Sequence, residues 1–386
     1  MTASRTPPRR RRRAIVPLPD GPRLVVQAWV GSRLLLLLAG LGVMWFTGRS
    51  AGELVANWDV LHFFGIARDG YATAQEVAFF PGLPLLLRAG AAAGVPMAVG
   101  GVVLSLVGSG FAAWGLSRLG GPRAGVFAAV AWLVAPTAVF TVVPYTESLF
   151  CAFAFWAWVR ARDDRWAWAA ALAACASAFR VSGLFLVAAL AVLAITRPAG
   201  LRGERERRAR LARLPWLALP VAVLAAYVVY LRVTQGSWTA WYAAQAAGWQ
   251  RTLTWPWDSI RHTIPAIVPG AYADHPGWAV VFRFEVVSVV VGLVVTVACL
   301  VLRRWGEAVW VGTQVLAFTT SYWLMSVNRA VLLWFPLWLL LGEAATGGRT
   351  VRSRRRRTVP AWGYLAVSAA LMVWWAQTFF RGGWAS

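Results

Sequence analysis

Residues 97–117 read MAVGGVVLSLVGSGFAAWGLS, a stretch of small and apolar side chains without a charged residue. An α-helix needs about 20 consecutive apolar residues to cross the hydrocarbon core of a bilayer. The whole chain has this character, because 59% of its 386 residues are hydrophobic and only 14% are charged. Soluble domains are nearer half apolar and a quarter charged. The sequence therefore predicts an all-α, polytopic integral membrane protein.

Further apolar runs accompany this one, and together they predict about eleven transmembrane helices. The runs lie at 25–47, 97–117, 124–143, 146–160, 166–179, 182–196, 214–232, 281–302, 307–325, 330–345 and 360–379. Several of them are shorter than the length that spanning requires, so we expect these helices to be tilted or extended by flanking residues.

Arginine predicts the orientation of these helices. The chain has a formal net charge of +23 and contains no lysine, and its arginines gather in five segments. These segments are 1–24, 160–165, 197–213, 303–304 and 349–357. Short basic loops stay in the cytoplasm, and eleven spans allow all five segments to lie there. Topology thus accounts for a positive charge that would indicate nucleic-acid binding in a soluble protein, and we expect no nucleic-acid partner.

This orientation also predicts the domain organisation. Residues 1–24 are rich in Pro and Arg and should form a disordered cytoplasmic tail, whereas residues 25–380 form a single transmembrane domain. The two long loops, 48–96 and 233–280, face outward. In the first, FFPGLPLLLRAGAAAGVP is too short and too broken by proline to span, and predicts an interfacial helix. The second loop is crowded with tryptophan, which is typical of an aromatic belt at the lipid headgroups.

The first outer loop holds a cluster of titratable side chains of mixed type, within NWDVLHFFGIARDGY. Asp59 follows Trp58 directly, and partial desolvation raises the pKa of a carboxylate and makes it a better proton acceptor. His62 lies one helical turn beyond Asp59. The candidates for binding substrate or supporting the base are therefore Trp58, His62, Arg68 and Asp69. Asp is also a favoured N-cap, so the spacing alone allows Asp59 to be a base, a cap or both.

Glu147, Arg180 and Arg329 lie at the outer ends of apolar runs. Ionisable residues at such places either snorkel to the interface or serve function. Together with Asp59 they provide a carboxylate for deprotonation and arginines for a lipid phosphate, which suits the removal of a sugar from a lipid carrier. We expect Arg329 to contact the donor phosphate. Arg180 is the second candidate for the phosphate and the expected partner of Glu147.

Motifs for other chemistries are missing from the sequence. It has no glycine-rich nucleotide loop, no Cys/His pattern for zinc and no Asp-X-Asp pair. The sequence therefore predicts no cofactor and no metal site, and it leaves a metal requirement open. A transferase of this composition would have to take its donor from the membrane.

Several short motifs follow one another along residues 57–342. They are WDVLHFFGIARDGY with VAFFPGLPLLLR, then PYTESLF, FRVSG, AAQAAGWQR and NRAVLLWFPLWLLL. In this order they resemble the PIG-V family, which comprises the GPI mannosyltransferase II enzymes and their bacterial relatives. The chain departs from the family pattern at Gly82, where the family usually has Leu, and at Val181 and Ser182, which replace Ser and Asn.

The resemblance implies a GT-C class architecture, a polyprenyl-phosphate sugar donor and Asp59 as the catalytic base. It favours an inverting glycosyltransferase that moves a sugar, mannose in the family, to a hydroxyl group of an extracytoplasmic glycan, glycolipid or protein. The wealth of Ala, Gly and Arg suggests an actinobacterium, so we expect a bacterial plasma membrane with the active site outside. The alternative is a transporter or flippase of lipid-linked sugars, which also uses arginines and aromatic side chains.

Overall fold

The computed structural model describes residues 21–347 and 351–385, with the backbone alone for 351–358. Over this part of the chain the fold is α-helical, and its only β-type pairing is an isolated bridge between Leu253 and Ser321. The predicted all-α fold is confirmed.

Eighteen α-helices follow one another in the described residues. Their bounds are α1 Gly21–Thr47, α2 Ala51–Val55, α3 Asp59–Asp69, α4 Gly82–Ala92, α5 Met97–Gly120, α6 Val126–Leu133, α7 Glu147–Arg162, α8 Trp166–Ser177, α9 Ser182–Thr196, α10 Gly203–Leu211, α11 Ala218–Gln235, α12 Ala240–Trp249, α13 Pro256–Ile267, α14 Gly277–Val301, α15 Trp305–Thr319, α16 Val327–Ala330, α17 Phe335–Thr346 and α18 Val351–Phe380.

Five helical stretches in the described residues are long and apolar enough to cross a membrane. They are Gly21–Thr47, Met97–Leu133, Gly203–Gln235, Gly277–Val301 and Val359–Phe380. A sixth span results if the pair Val327–Leu333 and Phe335–Thr346, which is bent by 67°, is counted as one. The protein is therefore a multi-pass membrane protein, and the stretch at 97–117 lies within one of its spans.

The predicted number of eleven spans is not confirmed. The runs at 146–160, 166–179 and 182–196 form α7, α8 and α9, which have 16, 12 and 15 residues. Each helix is shorter than the length of about 20 residues that spanning requires. The number of crossings among these three helices stays a prediction.

Helix α4 occupies the segment predicted to be an interfacial helix. It has 11 residues and is too short to span, as expected. Leu83 and Leu87 face the protein core and are buried, whereas Leu85 and Leu86 are exposed. This two-sided apolar surface agrees with a helix that lies partly against lipid.

Helix α7 lies at the centre of the bundle and packs against both α5 and α8. Small residues of α5 allow this close approach, since a Cβ atom at Gly108 would lie 3.0 Å from the backbone nitrogen of Leu149. Glu147 is the first residue of α7 and Arg162 is the last. The packing of α7 therefore fixes the positions of charged residues at both of its ends.

Three of the predicted cytoplasmic segments meet at one end of this bundle. Arg162, Arg197 and Arg303 come from different segments and line one cavity there. Glu147 lies at the opposite end of α7. This clustering agrees with a topology in which the three basic segments lie on one side of the membrane. The ionisable residues of the candidate site then lie on the opposite side.

Of the remaining two basic segments, one lies mostly outside the described residues and the other is described by its backbone from residue 351 onward. The tail predicted at 1–24 falls mostly within residues 1–20, and part of the segment at 349–357 falls within residues 348–350. Helix α1 begins at Gly21, slightly before the predicted domain boundary at residue 25.

We predict that the loops at 48–96 and 233–280 face away from the cytoplasm, because the arginine-rich ends of the helices lie opposite them. Cysteines introduced at Gln75 and Arg261, both exposed, should react with an impermeant maleimide in intact cells that lack the native cysteines. A cysteine at the exposed Arg205 is the matched control and should react only after lysis. The reverse pattern would invert this topology.

Candidate active site

Four ionisable residues from distant parts of the chain come together at one end of the bundle. The Nη1 atom of Arg329 donates to Oδ2 of Asp59 at 2.7 Å. The Nη1 atom of Arg180 donates to Oε1 of Glu147 at 2.7 Å and to the hydroxyl of Thr146 at 2.9 Å. Nε of Arg329 lies 3.8 Å from the same Glu147 oxygen, so the two ion pairs form one cluster.

This cluster is largely withdrawn from solvent. The exposed fraction of the side chain is 0% for Glu147, 9% for Arg329, 17% for Asp59 and 19% for Arg180. Charges at such depth need partners, and removing one member of a buried pair leaves the other uncompensated. The expected pairing of Arg180 with Glu147 is present in the structure, whereas Arg329 is paired with Asp59.

Asp59 is the first residue of α3 and does not cap it. Trp58 occupies the N-cap position, and its side chain makes no capping hydrogen bond. The backbone of Trp58 has a φ of 56°, a left-handed conformation that costs about 1–3 kcal/mol for a residue with a side chain. The indole nitrogen of Trp58 donates to the carbonyl of Gly383 at 3.0 Å. The carboxylate of Asp59 is therefore free of a capping role and faces Arg329.

A buried carboxylate on α14 supports the segment that carries Arg329. The two oxygens of Glu285 accept hydrogen bonds from the backbone nitrogens of Ser326 and Asn328, at 2.9 and 2.8 Å. These groups lie at the start of the four-residue helix α16, whose amides α16 itself cannot satisfy. The sequence showed Glu285 only as an acidic residue inside an apolar run.

Two tryptophans hold the irregular backbone just after Arg329. The indole nitrogen of Trp132 donates to the carbonyl of Leu332 at 2.9 Å, and that of Trp310 donates to the carbonyl of Leu333 at 3.0 Å. Both indole rings are fully buried. They satisfy carbonyl groups at the bend between α16 and α17, where the helical pattern is interrupted.

Gly82 brings the first outer loop against the segment that carries Arg180. Its backbone nitrogen donates to the carbonyl of Ala178 at 2.8 Å, and a Cβ atom at Gly82 would lie 2.6 Å from that oxygen. A leucine, the usual residue of the family pattern, does not fit this contact. The departure at this position therefore has a local packing reason.

Asp59 and Arg329 form part of the wall between two cavities. One, here called the polar cavity, has a volume of about 100 Å³ and is also lined by Arg180, Arg251 and Gln245. The other, here called the aromatic cavity, has a volume of about 610 Å³. Its aromatic lining consists of Trp58, His62, Tyr145, Trp249, Tyr272, Trp278, Phe282, Trp323 and Trp384.

Arg251 is a member of the polar cavity that the sequence did not identify. Its guanidinium donates to Oε1 of Gln245 and to the carbonyl of Met325, both at 3.3 Å. Burial, followed by the positive charge of Arg329, lowers the pKa of Arg251 to about 10, so it remains charged at neutral pH. No carboxylate of the described residues lies within 4.0 Å of it. Its position at the end of the motif AAQAAGWQR was the available signal.

The other predicted site residues divide into two groups. Trp58 and His62 line the aromatic cavity, where the His62 ring stacks on Phe79 with centroids 5.0 Å apart. Arg68 and Asp69 do not join the site. They form a 3.8 Å ion pair with each other at the far end of α3, and their side chains are 65% and 64% exposed. Their expected supporting role is corrected, because solvent satisfies both charges.

The described residues contain no group of three or more His, Cys, Asp or Glu side chains close enough to hold a metal ion together.

These features show which class of protein this is. It is a multi-pass helical membrane protein with a buried carboxylate–arginine cluster between two cavities. Residues 43–198 match the model of the family described as Mannosyltransferase (PIG-V). The resemblance to this family is confirmed over that part of the chain, which includes Asp59, Glu147 and Arg180.

Individual proteins of the same description are also similar to this chain. The chain is 34% identical to the GPI alpha-1,6-mannosyltransferase 2 of Mus musculus over 146 residues, which are 34% of this chain and 29% of that protein. It is 29% identical to the same enzyme of Homo sapiens over 181 residues, or 43% of this chain and 34% of that protein. The matches thus span about a third of the length of these relatives.

Among solved structures, the chain is similar to the archaeal oligosaccharyltransferase AglB from Archaeoglobus fulgidus, solved in complex with an inhibitory peptide and a dolichol-phosphate. The identity is 12% and the TM-score is 0.40, over 90% of this chain and 56% of that chain.

We predict that Arg180→Ala destabilises the protein by about 3–5 kcal/mol, because it leaves the fully buried Glu147 without its closest partner. Arg68→Ala, which breaks an exposed pair, is the control and should cost less than about 1 kcal/mol. The measurement is denaturant unfolding of the purified variants in detergent. Equal stability of the two variants would contradict the structural importance of the Arg180–Glu147 pair.

Proposed function

We propose that this protein is an inverting glycosyltransferase of a bacterial plasma membrane. It moves a sugar, mannose by its family likeness, from a polyprenyl-phosphate carrier to a hydroxyl group on the extracytoplasmic side. The observation that carries this proposal is the position of Asp59, which borders a cationic cavity on one side and an aromatic cavity on the other. A displacement reaction needs such a division, because the nucleophile and the leaving group approach the sugar from opposite faces.

The charges around the polar cavity suit a sugar phosphodiester. Three arginines, Arg180, Arg251 and Arg329, and two carboxylates, Asp59 and Glu147, leave one net positive charge. A polyprenyl-phosphate sugar carries one negative charge, which this cluster neutralises. Arginine suits the purpose because its planar fork can donate to two phosphate oxygens at once. The enclosed position strengthens the attraction relative to water.

Within this cluster, Arg251 is the arginine whose positive charge no carboxylate of the cluster balances, and we assign the contact with the donor phosphate to it. Arg180 and Arg329, the two arginines predicted to bind phosphate, already donate to Glu147 and Asp59. Among the described residues, Arg251 donates only to neutral oxygen atoms. An anionic ligand therefore gives it a stronger acceptor and does not compete with a carboxylate. In the proposed complex Arg251 contacts the phosphate, with Arg180 and Arg329 beside it.

The same charge balance holds after transfer. The acceptor oxygen forms a bond to the anomeric carbon while the bond from that carbon to the phosphate oxygen breaks, and the electron pair leaves with the phosphate. The proton of the acceptor hydroxyl passes to Asp59. The polyprenyl phosphate product gains a second negative charge as Asp59 loses its own, so the sum over cluster and ligand stays constant. Arg329, now paired with a neutral Asp59, has its Nη1 group available to the product phosphate.

An apolar groove next to the polar cavity can receive the carrier lipid. It has a volume of about 450 Å³ and lies between α3, α4, α8 and α11. Phe80 lines both this groove and the polar cavity. Its other walls include Pro84, Leu85, Val223 and Tyr227, which offer an apolar surface to an isoprenoid chain.

The aromatic cavity is the proposed place of the acceptor. It lies on the other side of Asp59 and is several times larger than the polar cavity. The aromatic rings supply broad apolar faces, and Asp59, Gln75 and Ser326 supply polar groups for orientation. A glycan, a glycolipid or an exported protein can be accommodated under this proposal. No cofactor and no metal ion has a part in it.

A transporter or flippase of lipid-linked sugars is the second candidate. The 67° bend between α16 and α17, next to Arg329, is the observation in its favour, because transporters bind substrates at broken helices. However, the paired charges gather at helix ends, as at the first residue of α7 and of α3, and a carboxylate at a cavity boundary suits proton abstraction. The two candidates are separated by whether the sugar changes its covalent partner.

We predict that Asp59→Asn lowers the rate of sugar transfer by about 10²–10⁴-fold, which is the usual effect of losing a general base. The amide has the same shape and still accepts a hydrogen bond from Arg329, which keeps the carboxylate of Glu147 at 3.8 Å, so the folded state should persist. The assay follows radiolabelled polyprenyl-phosphomannose in nanodiscs with a membrane extract as the source of acceptor. Wild-type rates in the Asn variant would remove the base assignment, and label that crosses the bilayer on its carrier would favour the transporter.

We also predict that Arg251→Gln weakens donor binding about tenfold or more, since hydrogen bonds between charged groups are among the stronger ones. The readout is the KM for the polyprenyl-phosphate sugar together with the melting temperature, which should change little. Arg261→Gln is the matched control, because Arg261 lies in the same loop but is exposed and, within the part of the chain that the structure describes, pairs only with Asp258. An unchanged KM in the Arg251 variant would contradict its contact with the donor phosphate.

A further inference from the structure

A second charged cavity lies at the opposite end of the helix bundle. It has a volume of about 550 Å³, and we call it the arginine cavity. Its charged lining residues are Arg162, Arg197, Arg303, Arg304, Glu307 and Glu343. Since α7 rises from Glu147 to Arg162, the two ends are about 22 Å apart at 1.5 Å per residue. The arginine cavity is therefore separate from the candidate active site.

The carboxylates of this cavity are both associated with one arginine. Nη2 of Arg304 donates to the two carboxylate oxygens of Glu343 at 2.7 and 2.8 Å. Nη1 of Arg304 lies 3.7 Å from Oε2 of Glu307. These three residues form a fixed salt-bridge network that joins the start of α15 to the end of α17.

The remaining arginines keep the cavity positive. Among the described residues, no carboxylate lies within 4.0 Å of the guanidinium groups of Arg162, Arg197 or Arg303. One nitrogen of Arg162 donates to the carbonyl of Leu119 at 2.8 Å, which holds that side chain at the cavity wall. Four arginines against two glutamates leave the cavity with an excess of two positive charges.

Arg303 has a backbone conformation that favours glycine. It follows α14 with a φ of 56°, and the next residue donates its backbone nitrogen to the carbonyl of Cys299 at 2.8 Å, as in a Schellman motif. A residue with a side chain in this conformation costs about 1–3 kcal/mol. The control of membrane topology requires a positive charge somewhere in the loop, but it does not require one at the strained position. Topology alone therefore does not explain Arg303.

We propose that the arginine cavity binds a phosphate-bearing anion. Arg197 and Arg303 approach it from two different loops, and Arg162 completes the cationic wall from α7. Trp158 also lines the cavity, and its buried indole nitrogen has no hydrogen-bond partner among the described residues. The phosphate can belong to a lipid headgroup or to a soluble molecule. Exposed Trp305 at the rim is typical of the membrane interface, where both are available.

The test uses the full-length protein in nanodiscs of phosphatidylcholine and measures its melting temperature. Inorganic pyrophosphate is the soluble probe, and phosphatidic acid added to the nanodiscs is the lipid probe. Stabilisation by pyrophosphate identifies a site for soluble phosphates, and stabilisation by phosphatidic acid alone identifies a headgroup site. Either result supports the proposal if the stabilisation is lost in the Arg303→Gly variant.

Arg303→Gly removes the charge and relieves the strained backbone, so its fold should be retained. We expect the affinity for the effective probe to fall about tenfold to a hundredfold, the effect of losing one charged hydrogen-bond donor. Arg197→Gln should act in the same direction. Arg205→Gln, an exposed arginine on the same side but outside the cavity, should bind as the wild type does. Absence of stabilisation by both probes, or equal affinity in the Arg303 and Arg205 variants, would overturn the proposal.

Discussion

The ion pair between Arg329 and Asp59 is the contact on which the candidate site depends. It joins α16 to the start of α3 across most of the chain, and Glu147 and Arg180 continue it into one network. Each of these charges is largely withdrawn from water and would be strongly unfavourable alone. Because the charges need one another, the segments that carry them must meet at one end of the bundle. That meeting places a carboxylate between a cationic cavity and an aromatic one.

The surrounding structure contains several features that keep this network in place. Glu285 accepts from the amides at the start of α16, and Trp132 and Trp310 satisfy carbonyls just beyond it. Trp58 holds a left-handed backbone beside Asp59. Irregular backbone buried in a membrane protein needs such partners, since lipid supplies none. The site thus combines residues from helix starts, such as Asp59 and Glu147, with residues from short connections between helices, such as Arg180 and Arg251.

Much of this arrangement could be predicted from single residues, and the rest required the fold. Asp59, Glu147, Arg180 and Arg329 stand out because an ionisable residue beside an apolar run needs an explanation. Their pairing is not evident, because nothing local relates Arg329 to a carboxylate far away in the sequence. Arg251 stays hidden since an arginine in a tryptophan-rich loop equally suits lipid headgroups. Arg68 and Asp69 mislead for the opposite reason, because they lie close to Asp59 in sequence but point into solvent. The number of spans could not be predicted from short helices such as α8 and α9. An apolar run shows that a segment is hydrophobic, but it does not show whether that segment crosses the membrane.

The central claim is that a phosphate occupies the polar cavity and that Asp59 separates it from the acceptor. A cryo-electron microscopy structure of the protein with a polyprenyl-phosphate sugar, in nanodiscs, tests this most directly. The account predicts phosphate density within hydrogen-bond distance of Arg251, an isoprenoid chain along the groove next to Phe80, and the anomeric carbon close to Asp59. A phosphate bound away from Arg180, Arg251 and Arg329, or a sugar that does not reach Asp59, would contradict it.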